Sequence, residues 1–331
     1  MSIEPTTHTL RSDRLTVTIG TIGAAVLSVE QPDRDGNVRN VCLRLPEMDD
    51  YLDNPSNFGA VVGPYANRIG QARFVLDGIT YELDANNGPN SLHSGSANLA
   101  RHRWSVDDSS ATSVTLRTQH GDGEGGLPGP IDFVARYELD GETLAMQLSA
   151  IAGPKPVVAS LTNHAYWNLG GVTDDGSVES DVLDHRLQLS AFRYLVPDEN
   201  VLPTGRIDPV DATPFDFRQP QPLGRADRDP TGFDHCFVVD GEAGRLRTAG
   251  TIVDPASGRR LTVATTLPGV QLYTANHFGG EDSNAGYEAF EGFCLECQHF
   301  PDSPNRPTFP STRVGPGQSV SSVTTYTFTV D

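Results

Sequence analysis

The chain has 331 residues, with 24 Lys+Arg against 43 Asp+Glu and a formal net charge of -19. A surface this acidic repels polyanions, which argues against nucleic acid and anionic membrane as partners. A single lysine, Lys155, stands against 23 arginines and 29 aspartates. That bias fits either a protein working in concentrated salt or an arginine-rich coding preference, and composition leaves both open.

Residues 1–10 show neither a basic stretch nor an apolar one, so no secretory leader is expected there. No apolar run approaches the ~20 residues of a membrane helix. The expectation is a cytoplasmic protein whose four cysteines, Cys42, Cys236, Cys294 and Cys297, are thiols.

Along the chain the hydrophobic pattern repeats every two residues, the mark of half-buried strands. Residues 15–29, 112–119, 132–139, 143–151 and 321–330 all read this way. Only 46–52 suggests a helical turn or two. Asp-Gly pairs fall at 35–36, 77–78, 122–123, 140–141, 175–176 and 240–241, and Asp-Gly between strand-like runs signals a hairpin. The stretch 121–130 (GDGEGGLPGP) is dense in glycine and proline and predicts a loop. No composition break divides the chain. The fold class expected is all-β, one large antiparallel β-sandwich domain spanning 1–331, since sheets apolar on one face must stack.

Five polar clusters interrupt this pattern. They centre on Asn67 and Arg68, on residues 86–95 with His93, on His164 with Tyr166, Trp167 and Asn168, on Asp234 with His235, and on Glu296 with Gln298 and His299. If 293–299 is a strand, Phe293, Leu295 and Cys297 share one face while Cys294, Glu296 and Gln298 share the other. The first set should enter the core, and Glu296 should project into a cleft or into solvent. Cys294 and Cys297 then point apart, so their CxxC spacing predicts neither a shared metal nor a disulfide. The same alternation groups His164, Tyr166 and Asn168, and also Gln271, Tyr273 and Ala275. Histidine suits acid-base work near neutral pH, although a lone histidine is commonly structural. Asp234 reads equally as a turn residue, and Arg68 as an ion-pair partner.

Taken together, the clusters resemble the aldose 1-epimerase (galactose mutarotase) family. The similarity rests on residues 65–69, on 86–90 with His93, on 161–164, on 232–235, on Leu295 and Glu296 with 298–305, and on the tail 309–317. It implies a large antiparallel sandwich with an open sugar cleft and no metal or organic cofactor. It also implies Glu296 as general base and His164 as general acid, with Asn67, Arg68, His93, Tyr166, Asp234 and Gln271 around the sugar hydroxyls. The sequence departs from the family at Pro64, Ala165, Trp167 and Cys297, and in a shortened loop, 94–99, that bears on substrate preference.

The expected partner is a small-molecule aldose, and the expected assembly a monomer or weak homodimer. Three rival functions fit parts of the pattern. One is a glycoside hydrolase using Glu296 and Asp234. Another is a binding module stacking a sugar on Tyr166 and Trp167. The third is a sugar-phosphate epimerase, which would need several converging cations. For the acid-base pair, carboxylates beside His164 are expected to raise its pKa.

Overall fold

A computed structural model describes residues 4–224, 232–281 and 284–331, so the first three residues of the 1–10 segment lie outside it. The architecture is the expected antiparallel β, in three main sheets. One sheet has nine strands, in the order Ser105–Ser109, Ser113–His120, Ile131–Asp140, Thr143–Ala152, Ser319–Val330, Arg259–Thr265, Arg247–Val253, Arg186–Leu189 and Gln221–Pro222. A five-stranded sheet runs Thr7–Arg11, Thr16–Gly20, Val26–Pro32, Val38–Cys42 and Trp167–Val172. A second runs Pro203–Pro209, Arg193–Pro197, Asp234–Val238, Gly269–Tyr273 and Cys294–Gln298.

Period-two patterning places the core. In Ile131–Asp140 the residues Ile131, Phe133, Ala135, Tyr137 and Leu139 are buried, and their even-numbered neighbours are not. These side chains pack in one apolar cluster with Val17 and Val26 of the first five-stranded sheet and with Phe237, Val270, Leu272 and Leu295 of the second. Each fully buried side chain of this size contributes about 1.5–3 kcal/mol of transfer free energy.

Helix is confined to short 3-10 turns among the described residues. The longest, Met48–Asp53, overlaps the helical turn expected at 46–52. None is long and apolar enough to cross a membrane.

The Asp-Gly signals mark true hairpins at 35–36, 77–78 and 140–141, each between strands that pair with one another. Asp77 and Gly78 both take positive φ, as the tight two-residue turn requires. The pair at 240–241 joins Asp234–Val238 to Arg247–Val253, which lie in different sheets. There the dipeptide turns the chain from one sheet to the other rather than closing a hairpin.

Candidate active site

The second five-stranded sheet supplies one wall of the site through its register. Asp234 pairs with Tyr273, which pairs with Cys294, and Cys236 pairs with Gln271, which pairs with Glu296. Residues opposite one another, or two apart on a strand, share a face. Asp234, Tyr273, Cys294, Gln271 and Glu296 therefore stand side by side. The face assignment for the last strand is as expected, with Phe293, Leu295 and Cys297 in the main core. Glu296 is only 2% exposed, so it points into a cavity and not into solvent.

His164 arrives from a different element. It follows the two-residue strand Thr162–Asn163, which pairs with Val61–Val62. Its backbone N–H donates to the carbonyl of Ala60, and its carbonyl accepts from the N–H of Gly59. Asn163 braces the same turn, its side-chain amide donating to the Gly59 carbonyl at 2.6 Å. Gly59 has φ of +65°, and a Cβ there would lie 2.1 Å from the carbonyl oxygen of Val26.

The third wall is the short ladder of Arg68–Ile69 with Ser91–Leu92. Asn67 and His93, at the ends of this ladder, both hold left-handed backbone conformations. The backbone N–H of Asn67 donates to Nδ1 of His93 at 3.1 Å, and the Asn67 side chain accepts from the N–H of Arg68 at 2.8 Å.

These walls enclose a cavity of about 430 Å³ whose lining includes Asn67, Arg68, His93, His164, Tyr166, Asp234 and Glu296. At its floor Nε2 of His164 faces Oε1 of Glu296 at 3.6 Å. The rings of His93 and His164 meet edge to face, 5.5 Å between centroids. Arg68 lies 3.5 Å from Oδ2 of Asp234 and donates through Nε to Asn87 at 3.1 Å. Gln271 donates to the other Asp234 oxygen at 2.5 Å. The Tyr166 ring packs 4.9 Å from that of His164, and its hydroxyl donates to the Ser56 carbonyl.

Seven of the eight site residues expected from sequence thus line one cavity, and Gln271 reaches it through Asp234. Three expectations need correction. Asn168 does not join His164 and Tyr166. Its strand begins only at Trp167, and its amide donates to the carbonyls of Ser180 and Glu291. Ala275 likewise lies beyond the end of its strand, buried in an apolar cluster. Trp167 packs on Tyr326 and Phe328 in the core, which removes it as a sugar-stacking platform.

Sequence reading missed Asn57, His277, Phe278 and Asn284 on the cavity rim. They sit in irregular segments, where no periodicity points to a face. It also missed the contact of Cys294, whose Sγ lies 3.5 Å from Nδ1 of His164.

Burial sets the electrostatics, and here too an expectation is reversed. Burial pulls His164 down to about 4, outweighing the attraction of Asp234. Burial, reinforced by the charge of Asp234, pushes Glu296 well above the usual carboxylate range. Burial also lowers His93 well below an ordinary histidine. The low dielectric that should strengthen charge pairing costs more in lost hydration. Both shifts disfavour the charged forms of Glu296 and His164.

Such a floor can accept one proton and donate another without a net change in charge. Arg68 is the one guanidinium or ammonium among the described lining residues, so the converging cations of a phosphate site are missing there. His164, Cys294 and Glu296 bring ligand-type atoms within 4.8 Å of one another. All three side chains are buried. A larger cleft, about 830 Å³, is lined by Phe192, Asp216 and Arg218. It offers no facing acid-base pair, since Arg218 is bound to Asp216 and Asp211.

Comparison with known proteins identifies the family and the fold. The profile of the aldose 1-epimerase family matches residues 6–327. The galactose mutarotase of Bos taurus is 40% identical over 326 residues, covering 97% of this chain and 93% of that protein. The aldose 1-epimerase of Escherichia coli K12 is 33% identical, covering 97% and 94%. The crystal structure of an aldose epimerase homologue from C. elegans superposes with a TM-score of 0.90 at 28% identity, covering 99% of each chain.

Proposed function

The chain belongs to the aldose 1-epimerase family and interconverts the α and β anomers of a free aldose; we propose that Glu296 and His164 carry its two proton transfers. The observation behind this is the buried, face-to-face contact of Glu296 and His164 at the floor of a polar cavity.

Ring opening needs a base at the anomeric hydroxyl and an acid at the ring oxygen together. Burial alone favours the neutral forms of both groups. A bound sugar changes that balance. Its anomeric O–H donates to the Glu296 carboxylate and its ring oxygen accepts from Nε2 of His164, and both contacts favour the charged partners. The carboxylate and the imidazolium are then the favoured forms. Glu296 takes the hydroxyl proton, His164 donates to the ring oxygen, the C1–O5 bond breaks and the C1 carbonyl forms. The pair is now protonated glutamic acid and neutral histidine, the arrangement that burial favours, so the open-chain complex is stabilised. Rotation about C1–C2 presents the other carbonyl face, and the same groups reverse roles to close the ring. The steps are two proton transfers and the breaking and re-forming of the C1–O5 bond, with no net change of oxidation state, so the reaction calls on no redox or phosphate-carrying group.

Arg68, Asp234, Asn67 and His93 hold the hydroxyls, with Gln271 orienting Asp234. Tyr166 packs under the acid. The substrate is a hexose such as glucose or galactose, and galactose is the sugar that the Bos taurus relative is named for. We place the chain in cytoplasmic hexose metabolism as one domain, monomeric or weakly dimeric; four buried free thiols support a reducing compartment.

Polarimetry on pure α-glucose or α-galactose tests the reading. Enzyme should speed the approach to the unchanged equilibrium rotation. A rate equal to the uncatalysed one for every aldose, or a new final rotation, overturns it.

A further inference from the structure

We propose that Cys294, His164 and Glu296 form a binding site for a borderline-soft divalent cation of the zinc class, and that an ion held there blocks the reaction. The inhibition rests on Glu296 and His164 carrying the proton transfers; the binding does not.

The donors are the ones such an ion takes: a thiolate, a neutral imidazole and a carboxylate. Their ligand atoms lie within 4.8 Å of one another. Among the described residues no other group of three or more His, Cys, Asp or Glu side chains converges in this way. Tetrahedral zinc, with bonds of ~2.0–2.3 Å, sets its ligand atoms about 3.3–3.6 Å apart. Sγ of Cys294 and Nδ1 of His164, at 3.5 Å, already have that spacing, and small side-chain rotations bring the carboxylate in. A separate observation points to a ligand. Glu296 is buried, and its Oε2 has no hydrogen-bond partner among the described residues. A buried carboxylate oxygen needs a partner, and a cation is one that answers its charge.

The charges balance as well. Thiolate and carboxylate together carry two negative charges and the ion two positive ones, so the enclosed site ends neutral. On binding, the thiol proton, and the carboxyl proton where Glu296 carries one, leave to solvent. Access comes from the cavity, which His164 and Glu296 both line. Cys294 stands on the protein side, in an apolar cluster with Leu43, Tyr166 and Phe278. Three protein ligands leave the fourth position to the cavity, where water completes the tetrahedron.

An ion so placed ties up both reacting groups. It takes carboxylate lone pairs needed for the anomeric proton. A ring nitrogen bonded to metal cannot carry the second proton of an imidazolium, so the acid is lost too.

The test uses the full-length protein, freed of metal by dialysis against a chelator, with cobalt(II) as the spectroscopic probe and zinc as the inhibitor. One equivalent of cobalt per chain should give an intense thiolate-to-cobalt absorption in the near ultraviolet. Stoichiometric zinc should lower the polarimetric rate roughly tenfold or more, the scale of losing an acid-base group, and chelator should restore it. In Cys294→Ala the absorption should vanish, and half-inhibition should need roughly tenfold more zinc or beyond, since one strong ligand is gone. Cys297→Ala, on the opposite face of the strand, should keep both properties. Absence of the thiolate band in the unaltered protein at saturating cobalt overturns the site, and that measurement stands even if a variant fails to fold. So does a band that survives in Cys294→Ala. A band that appears while the rate stays whole keeps the site but overturns the inhibition, and with it the assignment of the proton transfers to Glu296 and His164.

Discussion

Nε2 of His164 and Oε1 of Glu296 face each other at 3.6 Å, with both side chains sealed from solvent. The pair titrates as a unit. Adding a second proton buries a net positive charge, and removing the last one buries a negative charge. Burial opposes both, so the lower transition falls and the upper one rises. His164 goes down to about 4 and Glu296 goes well above its usual range. Unperturbed groups, near 4.3 and 6.5, would give a narrow acidic optimum. The expected kcat/KM profile is instead a broad plateau through neutrality. It should fall on the acid side as the pair gains a second proton and on the alkaline side as it loses its last one. Polarimetric rates across pH, corrected for the uncatalysed reaction, check this. A sharp peak between the two unperturbed values would show a hydrated pair.

Glu296→Gln removes the base while keeping nearly the same volume. The variant should fold, bind sugar with little change in KM, and lose about two to four orders of magnitude in kcat. Wild-type turnover would exclude Glu296 from the chemistry.

The sandwich was readable from sequence because period-two alternation and Asp-Gly turns are local signals, and the strands at 132–139 and 143–151 fall where those signals put them. Glu296 was readable too, since three consecutive face assignments had to agree. Asn168 and Ala275 were misplaced because alternation was carried past the point where a strand stops. The contact between Cys294 and His164 went unnoticed for a different reason: the two lie 130 residues apart, and nothing local points one to the other. The reversed pKa directions are likewise a property of enclosure, which sequence pattern does not carry.

Asp234 is gripped by Arg68 on one oxygen and by Gln271 on the other. Asp234→Asn would place an amide N–H₂ against one of those donors. We expect KM to rise roughly tenfold or more, the scale of one charge-assisted hydrogen bond, with a smaller effect on kcat and unchanged circular dichroism. An equal loss in kcat at constant KM would move Asp234 from sugar binding into the chemical step.

Gly59 underlies the placement of His164. Its φ of +65° and the 2.1 Å approach of the Val26 carbonyl leave no room for a side chain. Gly59→Ala should cost at least ~2 kcal/mol of stability and lower kcat by displacing His164. Gly36→Ala is the control. Its φ is also positive, but open space surrounds it, so only the smaller conformational penalty of about 1 kcal/mol applies. Denaturant melts of the two variants should separate the clash from the backbone term, and equal losses would deny Gly59 its packing role.

The last expectation concerns salt. A net charge of -19 with one lysine leaves many carboxylates without a partner of opposite sign, and like charges on a folded surface repel more than on an extended chain. Added salt shortens the screening length from about 10 Å at 0.1 M to about 3 Å at 1 M, which removes most of that repulsion. The surface ion pairs, such as Arg117 with Asp107 and Arg313 with Asp77, are also screened, but each contributes only about 0–1 kcal/mol. Relief of repulsion should therefore win, and the melting temperature should climb by several degrees or more between low and molar sodium chloride. Scanning calorimetry across that range decides the matter. A flat or falling response would mean that the exposed pairs compensate the excess charge, and the arginine-for-lysine bias would then reflect coding preference and not adaptation to salt.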